Sequence, residues 1–205
     1  LKALRYTCEN GTDLLLELPE GHIWLGGEES SKDGTIFNAN IPTEEVFSAP
    51  QYNGVNGIVY STKPLIYHGN TISDFSFTFK EGKIVEYTAK EGYEVLKELV
   101  ETDEGSHYLG EVALVDYFSP ISQSNQIFYE TLFDENASCH LAIGASYPTC
   151  LKDSDGLSDK ELKERGLNHS LTHVDFMIGH EHMNIKGYTR DGQEVDIMID
   201  GRLQV

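Results

Sequence analysis

The segment 172–179 is apolar except for two polar residues that lie two positions apart, His173 and Asp175. Residues i and i+2 of a β-strand point to the same face. The pattern therefore predicts a strand with His173 and Asp175 on one face and with Val174 and Phe176 in a core. A buried charge in such a strand needs a partner. Two partners agree with the pattern: a bound metal ion, or a local hydrogen bond between the imidazole and the carboxylate.

Much of the remaining chain also consists of short apolar segments separated by turn residues. From Ile72 to Phe79 the apolar spacing is mostly period two, and residues 81–83 form a hairpin-type turn. Further strands are predicted at 14–18, 23–27, 55–60, 65–67, 84–87, 111–115, 184–189 and 195–199. Together these segments predict an α+β fold, a β-rich mixed-sheet domain with a few helices.

Helical spacing is confined to short stretches of the chain. Residues 92–103 place apolar side chains at intervals of three and four, which predicts an amphipathic helix. Thr43 is a candidate N-cap for a helical turn that contains Glu44 and Glu45. Two more short helices are predicted, at 125–133 and 158–165.

The composition argues against nucleic-acid binding and membrane insertion. Acidic residues outnumber basic residues by 34 to 15, so the Lys/Arg clusters that neutralise phosphates are missing. No apolar run reaches the roughly 18 residues of a transmembrane helix, and no signal peptide is visible. The three cysteines form no CxxC pair, which argues against a disulfide framework or a thiolate zinc site. We expect a cytoplasmic protein.

Several carboxylates and imidazoles lie beside apolar or special-turn sequence, where a solvated role is unusual. Glu111 opens an apolar strand, and His140 opens the apolar segment 141–144. Carboxylate and imidazole groups are ligands for Zn²⁺, Co²⁺, Mn²⁺ or Mg²⁺, and two such ions typically share a carboxylate. The candidate site residues are Glu44, Glu45, Glu111, Glu135, His140, Tyr147, His173 and Asp175.

Four ordered motifs then make the sequence recognisable. They read NIPTEEVF at 40–47, GEVALV at 110–115, NASCHLAIG at 136–144 and HVDFMIG at 173–179. In this order they resemble the M29 family of metallo-aminopeptidases, of the aminopeptidase T, aminopeptidase S and PepS type. Family members are about twice this length, and the chain begins without a methionine. The resemblance therefore implies that residues 1–205 are the metal-binding catalytic domain, the C-terminal half of a longer chain.

The resemblance also implies a function and a ligand set. It implies hydrolysis of the N-terminal peptide bond of peptides at two divalent metal ions, in a protein that forms a homodimer. Glu135 and Tyr147 match further family positions near the site, Glu135 as an additional ligand and Tyr147 as a hydrogen-bond donor to the oxyanion or a metal contact. The implied metal ligands are Glu45, Glu111, His140, His173 and Asp175.

Glu44 directly precedes a proposed ligand, and two interpretations of it stay open. Other dinuclear aminopeptidases place a general-base glutamate immediately before a liganding one, which makes Glu44 the candidate base. Alternatively, Glu44 is an acid in a first helical turn that stabilises the helix dipole.

Rival interpretations concern both single residues and the whole chain. His180 and His182 are spaced like a metal pair, but they fall in a polar turn and are expected to be solvated. The whole chain could instead be another metallohydrolase, such as a phosphoesterase, although no Arg-rich or Gly-rich phosphate cradle is present. A third possibility is a non-catalytic domain for metal binding or dimerisation.

Overall fold

A computed structural model describes residues 1–38 and 44–204, which form strands, short helices and turns. The strands are β1 Ala3–Thr7, β2 Asp13–Glu17, β3 Leu25–Gly26, β4 Glu28–Ser30, β5 Ile36–Asn38, β6 Glu45–Ser48, β7 Val55–Tyr60, β8 Leu65–Tyr67, β9 Asn70–Ile72, β10 Ser76–Lys80, β11 Lys83–Thr88, β12 Leu109–Val115, β13 His140–Gly144, β14 His173–Met177, β15 Asn184–Tyr188, β16 Glu194–Ile199 and β17 Arg202–Leu203. The helices are α1 Tyr93–Val100, α2 Pro120–Gln123, α3 Thr131–Asp134 and α4 Asp159–Glu164.

Two large sheets dominate the fold. One has eight strands in the order β11-β10-β7-β2-β1-β15-β16-β17, and the other has five in the order β14-β13-β12-β6-β3. Two short hairpins, β4-β5 and β8-β9, complete the pairing. The predicted β-rich α+β class is confirmed. Among the described residues every pair of strands is antiparallel, so the pairing is more uniform than the mixed sheet that we expected.

The two large sheets share one apolar core. Strand alternation turns Leu14 and Leu16 of β2 inward from the eight-stranded sheet. From the five-stranded sheet, Phe176 of β14 enters the same core, with its ring centre 5.8 Å from that of Phe75 and 5.1 Å from that of Phe77. Burial of such large rings supplies much of the driving force for packing one sheet on the other. One face of the five-stranded sheet is thereby committed to the core.

Two predicted helices differ from the structure in ways that bear on the site. Thr43 lies outside the described residues, but Glu45 begins strand β6, where it pairs with Val115, so the predicted helical turn at this position is wrong. The helix predicted at 125–133 is also wrong over most of its length, because only its last residues belong to α3. At Glu45, pairing with strand β12, which is distant in sequence, outweighs the local helix signal of the candidate N-cap Thr43.

The other predicted helices agree with the structure. The helix predicted at 92–103 is α1, whose apolar side chains join the core. The helix predicted at 158–165 is α4, and its first turn is closed by a capping box between Ser158 and Glu161. Among the described residues, no helix has the length and apolar character needed to cross a membrane.

Candidate metal centre on the five-stranded sheet

The candidate ligands share the face of the five-stranded sheet that points away from the core. Across neighbouring strands, Glu111 lies opposite Ala142, which lies opposite Asp175. On the same face His140 lies opposite Ala113, and His173 lies opposite Gly144. Along each strand every second side chain points to the same face, as predicted for His173 and Asp175. The residues opposite these ligands on the same face, Ala113, Ala142 and Gly144, are small.

A β-bulge in β12 aims Glu111 at this face. Leu109 pairs with Ile143 and Glu111 pairs with Ala142, so β12 has one extra residue, Gly110, at this point. Without the bulge Leu109 and Glu111 would share a face, but Leu109 lies in the core. A Cβ atom on Gly110 would lie 2.2 Å from the Ala145 carbonyl oxygen, which only glycine avoids.

The ligand atoms form two groups that have Glu111 in common. In the first group His140 Nε2 lies 3.1 Å from Glu45 Oε2 and 3.4 Å from Glu111 Oε1. In the second, His173 Nε2 lies 3.6 Å from Glu111 Oε2 and 3.5 Å from Asp175 Oδ1. Within each group the ligand atoms lie within 4.8 Å of one another. The Glu111 carboxylate therefore contributes one oxygen to each group.

Backbone carbonyls orient both imidazoles. His140 Nδ1 lies 3.0 Å from the Ser138 carbonyl oxygen, and His173 Nδ1 lies 2.8 Å from that of Ala145. A carbonyl oxygen can only accept a hydrogen bond, so each Nδ1 carries a hydrogen and donates it. In a neutral imidazole the Nε2 lone pair is then free to bind a metal ion, which is the usual arrangement of a liganding histidine.

The charged groups of this cluster are buried, so their charges are poorly solvated. Glu111 is 5% exposed, Asp175 7% and His140 0%. Burial raises the pKa of the Glu111 carboxyl. Burial and the charges of Glu45 and Asp175 raise the pKa of Glu135 to about 8. In both cases burial disfavours the charged form of the carboxyl group.

The same surroundings also raise the pKa of the two imidazoles, which favours their charged form. Burial opposes the charged form of His173, but contacts with Asp175 and Glu111 outweigh it and raise the pKa to about 9. The pKa of His140 is likewise raised against the effect of burial, by its contacts with Glu111 and Glu45. Positive charge is therefore favoured at the centre of the cluster.

The polar atoms at this centre match the donor set of a divalent metal site. Glu45 Oε2, His140 Nε2 and Asp175 Oδ1 are buried and have no hydrogen-bond partner among the described residues. If the histidines are neutral, Nε2 lone pairs face carboxylate lone pairs, which is unfavourable unless a cation lies between them. Imidazole nitrogen and carboxylate oxygen are the preferred ligands of Zn²⁺ and similar ions.

Two further predicted residues border the cluster. Glu135 lies in a 3₁₀ turn at 135–137, and its pKa responds to the charges of Glu45 and Asp175. The Tyr147 ring centre is 4.8 Å from that of His173, and the residue is 48% exposed. Burial, with added effects of the nearby carboxylates, raises the pKa of Tyr147 to about 12, so its hydroxyl keeps its proton at neutral pH. Tyr147 therefore places a hydrogen-bond donor between the cluster and solvent.

Glu44 makes its described contacts with segments beside the cluster. Its backbone N–H donates to Asn136 Oδ1 over 3.1 Å. Its Oε2 accepts a hydrogen bond of 3.3 Å from the N–H of Ile121 in α2. An acid at the start of a helix agrees with part of the alternative interpretation of Glu44, although the helix is α2 rather than one containing Glu44 itself.

The structure also places residues that the sequence interpretation either set aside or missed. His180 and His182 lie in the turn between β14 and β15, with Glu9 and Asp200 each 3.9 Å from opposite nitrogens of His182, so these atoms do not converge on one ion. The site residues that were missed are Gly110, Ser138, Ala145 and Asn136. They act through backbone geometry or a long-range contact, for which the sequence gives no periodic signal.

The family described as Peptidase_M29, thermophilic metalloprotease (M29), matches residues 1–203. The match therefore includes both large sheets and all of the candidate ligands.

Curated relatives and a solved structure give the same result. The chain is 57% identical to aminopeptidase AmpS of Bacillus subtilis (strain 168), over 97% of this chain and 48% of that protein. It is 54% identical to aminopeptidase 2 of Geobacillus stearothermophilus, over 93% of this chain and 46% of that protein. The structure of wild-type AmpT from Thermus thermophilus superposes with a TM-score of 0.93 at 43% identity, covering 100% of this chain and 50% of that one. The chain thus spans about half the length of these relatives.

Proposed function

We propose that this chain, which belongs to the M29 family of metallopeptidases, is the metal-binding catalytic domain of an aminopeptidase that removes the N-terminal residue of peptides. One observation carries the proposal: two His–carboxylate groups share Glu111 on a buried face of the five-stranded sheet. The named relatives are aminopeptidases, and this chain spans about half of each. We place residues 1–205 as the C-terminal half of such a longer chain.

Two divalent ions, Zn²⁺, Co²⁺, Mn²⁺ or Mg²⁺, are proposed as cofactors. Glu45, Glu111 and His140 would hold one ion, and Glu111, His173 and Asp175 would hold the other. Glu135 is proposed as an additional ligand, because its pKa responds to the charges of Glu45 and Asp175. Bound ions of this kind supply Lewis acidity, which polarises a carbonyl group and makes water a nucleophile near neutral pH.

The chain's own residues would handle the proton and the substrate. Glu44 is proposed as the general base that takes a proton from water and passes it to the leaving amine. Its Oε2 already accepts from Ile121, so Oε1 is the atom proposed to take the proton. Tyr147, which keeps its proton at neutral pH, would donate a hydrogen bond to the developing oxyanion. A carboxylate of the cluster would bind the free amino group and so restrict cleavage to the first peptide bond.

The role of Glu44 has a direct test. Glu44→Gln should lower kcat by about 10²–10⁴-fold while the chain still binds metal, because the amide keeps the shape but cannot accept the proton. Turnover of an aminoacyl p-nitroanilide and metal content by mass spectrometry are the two measurements. Full activity of Glu44→Gln would contradict the base assignment and leave the metal centre unaffected.

A second candidate function is a metal-binding domain that needs the remainder of a longer chain for catalysis. The coverage of 46–48% of the curated relatives favours it, since a substrate cleft can be formed by both halves of a chain. The two candidates differ in what the isolated 205-residue chain can do. In the second case it binds two ions but releases no p-nitroaniline, whereas the longer protein does.

The central test measures metal binding and hydrolysis together. With Co²⁺ or Zn²⁺ we expect release of p-nitroaniline that EDTA abolishes. Glu111→Gln should reduce it at least about 100-fold, since one substitution removes a ligand from both groups. Glu86→Gln, an exposed acid on β11, is the matched control and should leave both readouts unchanged. Absence of EDTA-sensitive release from both the 205-residue chain and the longer protein would overturn the peptidase.

Location and assembly complete the proposal. Peptides with a free N-terminus are the proposed partners, and a homodimer is the proposed assembly. A cytoplasmic location is proposed because Cys8, Cys139 and Cys150 are all free thiols. Sedimentation of the purified protein would test the dimer, and a single species at the monomer mass would contradict it.

A further inference from the structure

Asn136 is fully buried and joins two segments that are distant in sequence. It lies in the 3₁₀ turn that also contains Glu135, four residues before His140. Its Oδ1 accepts the hydrogen bond from the backbone N–H of Glu44, 92 residues away, over 3.1 Å. The segment with His140 and the segment with Glu44 and Glu45 are therefore linked by one side chain, which is 0% exposed.

This hydrogen bond lies next to the end of strand β6, where few ladder hydrogen bonds hold Glu45. Glu45 is the first residue of β6, and its pairing with Val115 is the last step of the ladder to β12. A residue at a strand end is held by the ladder on one side only. The hydrogen bond that Asn136 Oδ1 accepts from the Glu44 N–H restrains the backbone immediately before Glu45, on the side that the ladder does not reach.

Restraint matters here because the carboxylates repel one another. Glu45 and Asp175 each lie in a group with Glu111, so that three carboxylates meet in one buried cluster. Repulsion between like charges in a poorly solvated pocket tends to move the least anchored one outward. Glu45 must nevertheless stay 3.1 Å from His140 Nε2 for both to reach one ion.

A second observation suggests that Asn136 is more than a packing residue. Its Nδ2 donor is buried and has no hydrogen-bond partner among the described residues. An unpaired buried donor is unfavourable, so an apolar side chain of the same shape would be the better choice for packing alone. The amide is useful here for its acceptor oxygen.

We infer that Asn136 is a positioning residue that holds the Glu44–Glu45 backbone against the His140 segment and thereby sets the affinity of the first metal group. It touches neither substrate nor metal and acts through Glu45. This inference rests on the proposed metal centre. It adds a determinant of metal affinity outside the ligand set, and it assigns that role to the acceptor oxygen rather than to the bulk of the side chain.

Two substitutions separate the acceptor oxygen from the shape of the side chain. Asn136→Leu keeps the approximate size but removes the acceptor. Asn136→Asp keeps an oxygen for the Glu44 N–H, and burial beside other acids favours the neutral form of its carboxyl, so that no charge is added. We expect Asn136→Leu to weaken Zn²⁺ binding about 10–100-fold, as for other residues that orient ligands. Asn136→Asp should lose no more than about threefold in Zn²⁺ affinity. Isothermal titration with Zn²⁺ alone gives these affinities without any activity assay.

Hydrogen exchange and a control variant guard against a general folding defect. The Glu44 amide should exchange faster in Asn136→Leu and remain protected in Asn136→Asp. Ser106→Ala removes a buried hydroxyl that donates to the Val100 carbonyl, away from the ligands, and should leave Zn²⁺ affinity unchanged. Each variant is first checked for a native circular dichroism spectrum.

The outcomes distinguish this inference from the proposed function. Wild-type affinity in Asn136→Leu, or equal losses in Asn136→Leu and Asn136→Asp, would overturn the positioning role while wild-type binding still supports the metal centre. A wild-type chain that binds no Zn²⁺ would overturn the metal centre itself and the inference with it.

Discussion

The two large sheets use the same antiparallel alternation but treat their second faces differently. On the eight-stranded sheet the outward face meets water, and its charges pair at the surface, as Arg5 and Asp13 do over 3.0 Å. On the five-stranded sheet the face opposite the core is buried, and it contains Glu111, His140 and Asp175. A surface pair needs no further compensation, whereas buried charges do. The buried face of the five-stranded sheet therefore requires compensation of its charges, which the outward face of the eight-stranded sheet does not.

The largest effect is expected from breaking the bulge that turns β12 toward the buried charges. Gly110→Ala places a Cβ 2.2 Å from the Ala145 oxygen and 2.4 Å from the Gly144 oxygen. We expect a loss of unfolding free energy of about 3 kcal/mol or more, together with loss of metal binding, because the backbone at 144–145 must move. Urea denaturation and Zn²⁺ titration measure the two losses.

A glycine on the same sheet supplies the matched control. A Cβ on Gly26 of β3 would meet its nearest atom at 3.9 Å, an ordinary contact, so Gly26→Ala should change neither readout appreciably. If Gly110→Ala behaved like Gly26→Ala, the bulge would not be what aims Glu111 at the cluster.

A smaller effect, with a change of sign, is expected at Glu111 itself. In EDTA, Glu111→Gln should raise the unfolding free energy by about 1–2 kcal/mol, because it removes a buried negative charge. In excess Zn²⁺ the order should reverse, since ligand binding adds about 2.7 kcal/mol at 100 times the dissociation constant and the variant loses most of that gain. Denaturation curves with and without Zn²⁺ measure both terms.

A surface acid on the eight-stranded sheet is the control for this Zn²⁺-dependent change of sign. Asp13→Asn removes an exposed partner of Arg5, so its small effect on stability should be the same in EDTA and in Zn²⁺. An equal, metal-independent loss in both Asp13→Asn and Glu111→Gln would contradict the contrast between the sheets.

The smallest effect is expected at an acid whose surroundings stabilise its charge. Burial opposes the charge of Asp103, but hydrogen bonds from the Leu171 N–H, the Ser170 hydroxyl and the Ser106 N–H outweigh it, so the pKa lies below its usual value. A lowered pKa in the folded state stabilises the protein above the unfolded pKa, and this contribution is lost as pH falls through the folded pKa.

Asp103→Asn should therefore cost about 1 kcal/mol at neutral pH and less as pH falls below about 4. Urea denaturation at a series of pH values measures the difference between wild type and variant. If the stability difference between wild type and Asp103→Asn grew toward low pH, its sign would be wrong for an acid whose charge is stabilised by N–H donors. Asp103 would then resemble Glu111 and Glu135, whose charged forms burial disfavours.

The sequence predicted much of this architecture because strand periodicity is local. The strands predicted at 55–60 and 65–67 have the predicted bounds, and the shared face of His173 and Asp175 follows from the alternation of side chains along a strand. The bulge at Gly110 could not be predicted, since it depends on the backbone of the neighbouring strand. The pairing of Glu45 with Val115 was missed for the same reason.

The candidate site was likewise predicted only in part from the sequence. Each ligand by itself is weak evidence, because a single Glu or His is usually solvated. The order of the four motifs indicated the set, and the structure brings Glu45, Glu111, His140, His173 and Asp175 into two groups. The Ala145 carbonyl that orients His173 and the contact of Asn136 with Glu44 could not be predicted, since in each case the two residues are far apart in sequence.

The position of Glu111 between the two groups has a thermodynamic consequence. If two ions bind as proposed, an ion in the first group would orient the Glu111 carboxylate, whose Oε2 faces the second group, and the two binding events would be coupled. Coupling of this kind is reciprocal: whatever the first ion does to the affinity for the second, the second does equally to the first. A titration of this centre should therefore follow a cooperative isotherm, of either sign, rather than that of two independent ions.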